Sequence, residues 1–97
     1  MILTIDQIRS ITAPIAASYG VKRLSLFGSY ARGDATPDSD VDVVVFGGAS
    51  FRKMNILAFA EDLRQMTGKE VDAFEICELD ENTPFYRTVM NEGRRIA

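Results

Sequence analysis

The chain has 97 residues, room for one small domain spanning 1–97 and no second core. At 46% hydrophobic and 26% charged it is an ordinary globule, which excludes disordered and low-complexity classes. A net charge of −3, with 11 basic residues scattered among 14 acidic ones, argues against binding duplex nucleic acid.

Thr4 and Gln7 form a capping box, with Leu3 and Ile8 placed as its hydrophobic staple. Ile8, Ile11, Ile15 and Tyr19 recur at helical spacing, so a first helix runs to Gly20. A kink is expected at Pro14, which has no N–H to give the Ser10 carbonyl. Lys22 to Phe27 alternates as a strand, with Leu24 and Leu26 on one face and Ser25 and Phe27 on the other. Gly28 stops it. From Ser29 to Ser39 the chain is polar, broken by Gly33 and Pro37, and predicts a short helical turn followed by a loop.

Asp40 to Phe46 is the clearest strand. Val41, Val43 and Val45 share one face, and Asp40, Asp42, Val44 and Phe46 the other. Gly47 and Gly48 predict a turn, and Ser50 can cap a second long helix closed by Gly68. Its expected buried stripe is Ile56, Phe59, Ala60, Leu63 and Met66. Glu70 to Ile76 is a third strand, with Asp72, Phe74 and Ile76 on one face. Thr83 and Pro84 start a final helix that ends near Gly93. This order predicts an α/β (α+β) domain, a small mixed three-stranded sheet with helices packed on one face. The second and third strands are expected to be parallel through a right-handed crossover, and the first two can run either way.

Histidine is absent, so no Ser-His-Asp triad, Cys-His pair or His-based zinc site can be built. The single cysteine, Cys77, excludes an internal disulfide and fits a reducing cytoplasm. No apolar run approaches the roughly 20 residues of a membrane span. With Asp6 early and no basic lead-in, neither a signal peptide nor a membrane partner is expected. Catalysis would therefore rest on carboxylates, hydroxyls, Lys, Arg or a bound metal.

The informative stretch is Gly28 to Asp42. Gly28 and Gly33 have P-loop spacing, but Asp34 and Ala35 replace the required Lys and hydroxyl. An EF-hand starting at Asp38 fails, because Val43 replaces the turn Gly and Ala49 the bidentate Glu. A third pattern is coherent: Gly28-Ser29, ten residues, then Asp40-x-Asp42. Gly-Ser at a strand end exposes backbone N–H groups and a hydroxyl, and the glycine admits a phosphate close to the backbone. Asp40 and Asp42 lie about 6.6–7 Å apart on one strand face. Their carboxylates can converge on one metal, or on a pair about 3.5–4 Å apart. Asp72 can complete a three-carboxylate cluster.

Blander readings compete. An Asp-rich turn is commonly a solvated loop, and Asp72 could be an edge-strand residue facing water. Yet two carboxylates 4 Å apart repel by about 4 kcal/mol at an effective dielectric near 20, so collecting them on one face implies a cation. Tyr30 is expected to pack, and Phe59, Leu63 and Met66 to be core. Cys77 reads as inert, and Glu75, Glu78, Asp80 and Glu81 as a solvated acidic run.

The sequence resembles the minimal nucleotidyltransferases of the DNA polymerase beta-type superfamily, specifically the MNT antitoxins of HEPN/MNT pairs. The likeness is carried by Gly28-Ser29, Asp40-x-Asp42 and Asp72, with Tyr19-Gly20-Val21, Leu26-Phe27 and Asn91-Glu92-Gly93 on the flanks. It implies that Gly28, Ser29 and Arg32 bind the nucleotide triphosphate. It also implies that Asp40 and Asp42 bind two Mg²⁺ ions, with Asp72 as a further ligand or as the base. The implied reaction is transfer of AMP from ATP to a tyrosine of a partner HEPN ribonuclease toxin, in the cytoplasm. A non-catalytic antitoxin acting by contact, and a free-standing transferase for a small hydroxylated acceptor, are the alternatives. Asp34 departs from the pattern as an added negative charge.

Overall fold

The computed structural model describes residues 2–48, 51 and 55–97. Helix α1 spans Ile5–Ser18 and starts with the expected capping box. Gln7 N donates to Thr4 Oγ1 at 3.0 Å, and Thr4 N donates to Gln7 Oε1 at 2.8 Å. Leu3 and Ile8 are buried in one core, as a staple requires. The helix runs unbroken across Pro14. It buries Ile8, Thr12 and Ala16 fully, while Ile15 and Tyr19 of the expected stripe pack partly buried against the same core.

The remaining elements are β1 (Arg23–Phe27), α2 (Ser29–Arg32), β2 (Val41–Phe46), α3 (Asn55–Thr67), β3 (Val71–Glu75), α4 (Pro84–Glu92) and β4 (Arg94–Arg95), with a 3₁₀ turn at Ile76–Glu78. The sheet order is β3-β2-β1-β4. Strands β2 and β3 are parallel, as the crossover predicts, while β1 runs antiparallel to β2. The sheet has four strands and not three, because β4 pairs antiparallel with β1, setting Arg95 opposite Ser25. Two consecutive arginines carry no alternation, so nothing in the residue pattern announces this strand.

One face of the sheet bears the main core. Leu24, Leu26, Val41, Val43 and Val45 pack there with Ile8, Phe59, Leu63 and Ile96. Tyr19 joins α1 to α3, its hydroxyl donating to Asp62 Oδ2 at 2.6 Å and its ring standing edge-on to Phe59. The opposite face is covered too, contrary to the one-sided expectation. There Val89 of α4 is buried with Phe27 and Val44, beside Phe46 and Phe74. The reason is that the face shared by Asp42 also carries Val44 and Phe46, which must leave water. Within α3, Met66 is 62% exposed instead of core. The buried residues are Phe59, Ala60, Leu63 and Thr67, and Thr67 Oγ1 donates to the Leu63 carbonyl at 2.7 Å. Ser50, the expected cap of α3, lies outside the described residues. No helix among the described residues is long and apolar enough to cross a membrane.

These phases can be checked by chemical denaturation. Leu63→Ala is expected to cost about 2–5 kcal/mol, the range for truncating a buried leucine. Met66→Ala, on the exposed side of the same helix, is expected to fall within about 0.5 kcal/mol of the parent.

Candidate active site

Strand β1 ends at Phe27, which sits opposite Asp42 in the antiparallel ladder. The chain then turns at Gly28, with φ +74° and ψ −152°, into the single turn of α2. Glycine is required here twice over. The backbone lies in the left-handed region, and an added Cβ would stand 2.5 Å from Asp42 Oδ2. The bare glycine therefore lies directly against the carboxylate. Ser29 follows, its carbonyl accepting from Gly33 N at 3.0 Å and from Asp34 N at 3.1 Å, which fixes the loop that leaves α2.

Across the parallel ladder, Asp42 stands beside Asp72. Asp40 immediately precedes β2 and shares the Asp42 face by alternation. Asp42 is half-buried, whereas Asp40 and Asp72 are exposed. Burial pushes the Asp42 carboxyl up to about 6, reinforced by the charges of Asp72 and Asp40 and a hydrogen bond with Asp72, while Arg32 opposes the shift. Gly28, Asp42 and Asp72 are thus brought together, with Asp40 at the rim.

Among the described residues no three acidic or thiol side chains are already gathered as a cation site. The donor set nevertheless fits a hard divalent cation. All three groups are carboxylates, and burial beside negative charge makes the half-buried one costly to ionise, a cost that a cation would remove.

Arg32 is exposed and held by two carboxylates. Its Nε lies 3.2 Å from Asp34 Oδ2, and its Nη1 lies 3.3 and 3.4 Å from the two oxygens of Glu92. Asp34, an unhelpful charge in the sequence, is thus a partner of Arg32. Nothing in the sequence pairs Glu92 with Arg32, because the two meet only through the fold. Tyr30 is buried and accepts from Leu3 N, a packing role as expected. Cys77 donates to Glu75 Oε2, and that hydrogen bond raises its pKa, keeping an exposed thiol protonated. The acidic run is more than solvated surface. Glu75 accepts from Cys77 N at 3.0 Å and Gly47 N at 3.2 Å, and Asp80 accepts from Asn82 N at 2.9 Å.

Residues 7–96 match the nucleotidyltransferase domain family. A Methanocaldococcus jannaschii protein named as a protein adenylyltransferase is 37% identical over 70 residues, covering 72% of this chain and 75% of its own. A minimal nucleotidyltransferase of solved structure has a TM-score of 0.77 and 26% identity, with 95% of each chain covered. A chain of the Shewanella oneidensis complex between a tri-AMPylated HEPN toxin and an MNT antitoxin has a TM-score of 0.74 at 14% identity. That match covers 97% of this chain and 72% of the other.

The raised Asp42 carboxyl has a signed consequence for stability. Its folded pKa of about 6 lies above the ordinary carboxyl value of 3.8, so the folded state holds the proton more tightly. That contribution is complete below about pH 4 and is lost as pH rises through about 6. In chelator, the melting temperature is expected to fall over that interval. Asp42→Asn should flatten this fall and melt higher than the parent above pH 7. Parent and variant profiles that run parallel would count against the assignment.

Proposed function

The chain belongs to the nucleotidyltransferase domain family, and we propose that it transfers AMP from ATP to a tyrosine hydroxyl of a partner HEPN ribonuclease toxin, as that toxin's antitoxin. The observation that carries this reading is the packing of bare Gly28 on the Asp42 carboxylate, with Asp72 alongside. A triphosphate lying along Gly28-Ser29 would then reach the carboxylates without an intervening side chain. The name of the M. jannaschii relative supports protein as the acceptor class, and the S. oneidensis complex supports a HEPN toxin as the protein.

The chain's own residues divide the work as follows. Gly28 admits the phosphates, the Ser29 hydroxyl donates to a phosphate oxygen, and Arg32 adds a planar cation at the same end of the sheet. Mg²⁺ held by Asp40, Asp42 and Asp72 would neutralise the triphosphate and acidify the attacking hydroxyl. Asp72, exposed beside Asp42, takes the hydroxyl proton, a task that no histidine is present to perform. The acceptor oxygen bonds to the α-phosphorus as the bond to the bridging oxygen breaks, and pyrophosphate leaves. Because Asp40 and Asp72 are exposed, a hydroxyl carried on another protein's surface can reach them.

Incubation with a HEPN partner, ATP and Mg²⁺ should add the mass of AMP to a partner tyrosine. Asp40→Asn and Asp42→Asn should abolish the modification while the fold is retained. A partner left unmodified by the parent chain overturns AMP transfer, and neutralisation that survives Asp42→Asn points to inhibition by contact. Ser29→Ala removes one charge-assisted hydrogen bond of about 1.5–3 kcal/mol, so calorimetry should show ATP binding weakened at least about tenfold.

A further inference from the structure

Arg32 is gripped by a local partner, Asp34 just after α2, and by a distant one, Glu92 at the end of α4. A guanidinium presents its donors as a rigid planar fork. Here Nε serves Asp34 and Nη1 serves Glu92, and no hydrogen bond among the described residues engages Nη2. Two of the three guanidinium nitrogens are anchored, and Nη2 is left for a ligand.

Glu92 is the better placed anchor. Its side chain is 25% exposed against 62% for Asp34. Val89, one turn earlier, is buried against Phe27 and Val44. Gly93 follows, where an added Cβ would meet the Val89 carbonyl oxygen at 2.8 Å, and β4 then pairs with β1 at Ser25 and Leu26. Glu92 is thereby fixed relative to β1, the strand that delivers Gly28 and Ser29. An exposed ion pair contributes little to folding, so stability alone gives no account of a two-oxygen grip across the fold.

We propose that Glu92 is a positioning residue for nucleotide transfer: with Asp34 it fixes the Arg32 guanidinium so that Nη2 meets the phosphates of a nucleotide held at Gly28 and Ser29. This rests on the phosphate-binding reading of Gly28, Ser29 and Arg32. Through α4, the far end of the chain then sets the geometry of the nucleotide loop.

The test is ATP affinity with Mg²⁺, together with melting temperature, for Glu92→Gln, Arg32→Ala and the double variant. Arg32→Ala should weaken binding about tenfold and Glu92→Gln about threefold to tenfold. In the Arg32→Ala background Glu92→Gln should have no further effect, with all three melting temperatures close to the parent. In the transfer assay Glu92→Gln should raise KM for ATP more than it lowers kcat. Unchanged or tighter ATP binding in Glu92→Gln, with Arg32→Ala weakened, overturns the positioning role and leaves the phosphate reading standing. Unchanged binding in Arg32→Ala overturns both, as does a parent chain that binds no ATP. Equal losses of affinity and melting temperature in Glu92→Gln would reduce Glu92 to a structural residue.

Discussion

The site depends on the placement of Asp42 between two neighbours of different kinds. On one side the antiparallel ladder sets Phe27 opposite it, which lays Gly28 on its carboxylate. On the other side the parallel ladder sets Asp72 beside it. A mixed sheet makes both contacts at one end of the molecule. The C-terminal end of β1 meets the N-terminal ends of β2 and β3, so a turn and two acidic residues converge there without a long loop. Burial of the carboxyl, and after it repulsion among those acids, is the cost of the arrangement, and both raise the Asp42 pKa.

Core and site are two faces of one strand. Val41, Val43 and Val45 are fully buried, while Asp42 between them faces the other way. A slip of one residue in β2 would put Asp42 into the apolar core and a valine in its place. The hydrophobic driving force that seats the valines is thus also what aims the carboxylate. Behind it Phe27, Phe74 and Phe85 form an aromatic group with centroid separations of 5.4–5.9 Å, which gives the acidic end a firm apolar floor.

Much of this is legible in the residues, where strong periodicity or local chemistry speaks. The capping box at Thr4, the alternation of β1 to β3, and the shared face of Asp40 and Asp42 need only local geometry. The direction of β1 against β2 is not local, because the polar stretch between them constrains no handedness. Strand β4 has two arginines and no period. Met66 and Thr67 differ by one step around α3, and the smaller, more polar residue takes the buried position because its hydroxyl can bond the Leu63 carbonyl. Gly28 was readable as a place of close approach. That Asp42 is what approaches it depends on register, and the grip of Glu92 on Arg32 depends on the whole topology.

The pairing of β4 with β1 also governs how the domain assembles. Residues up to Glu75 contain all three carboxylates and three of the four strands. The strand that borders β1, the helix over the second face and the buried Ile96 all come from the last stretch of chain. Joining Ser25 to Arg95 closes most of the polypeptide into a loop, a non-local contact of the kind that forms late in folding. During synthesis the acidic face would be built first and remain partly uncovered until α4 and β4 have emerged and docked. The nucleotide loop after β1 is therefore braced only once β4 has closed on that strand, and not when the carboxylates first meet.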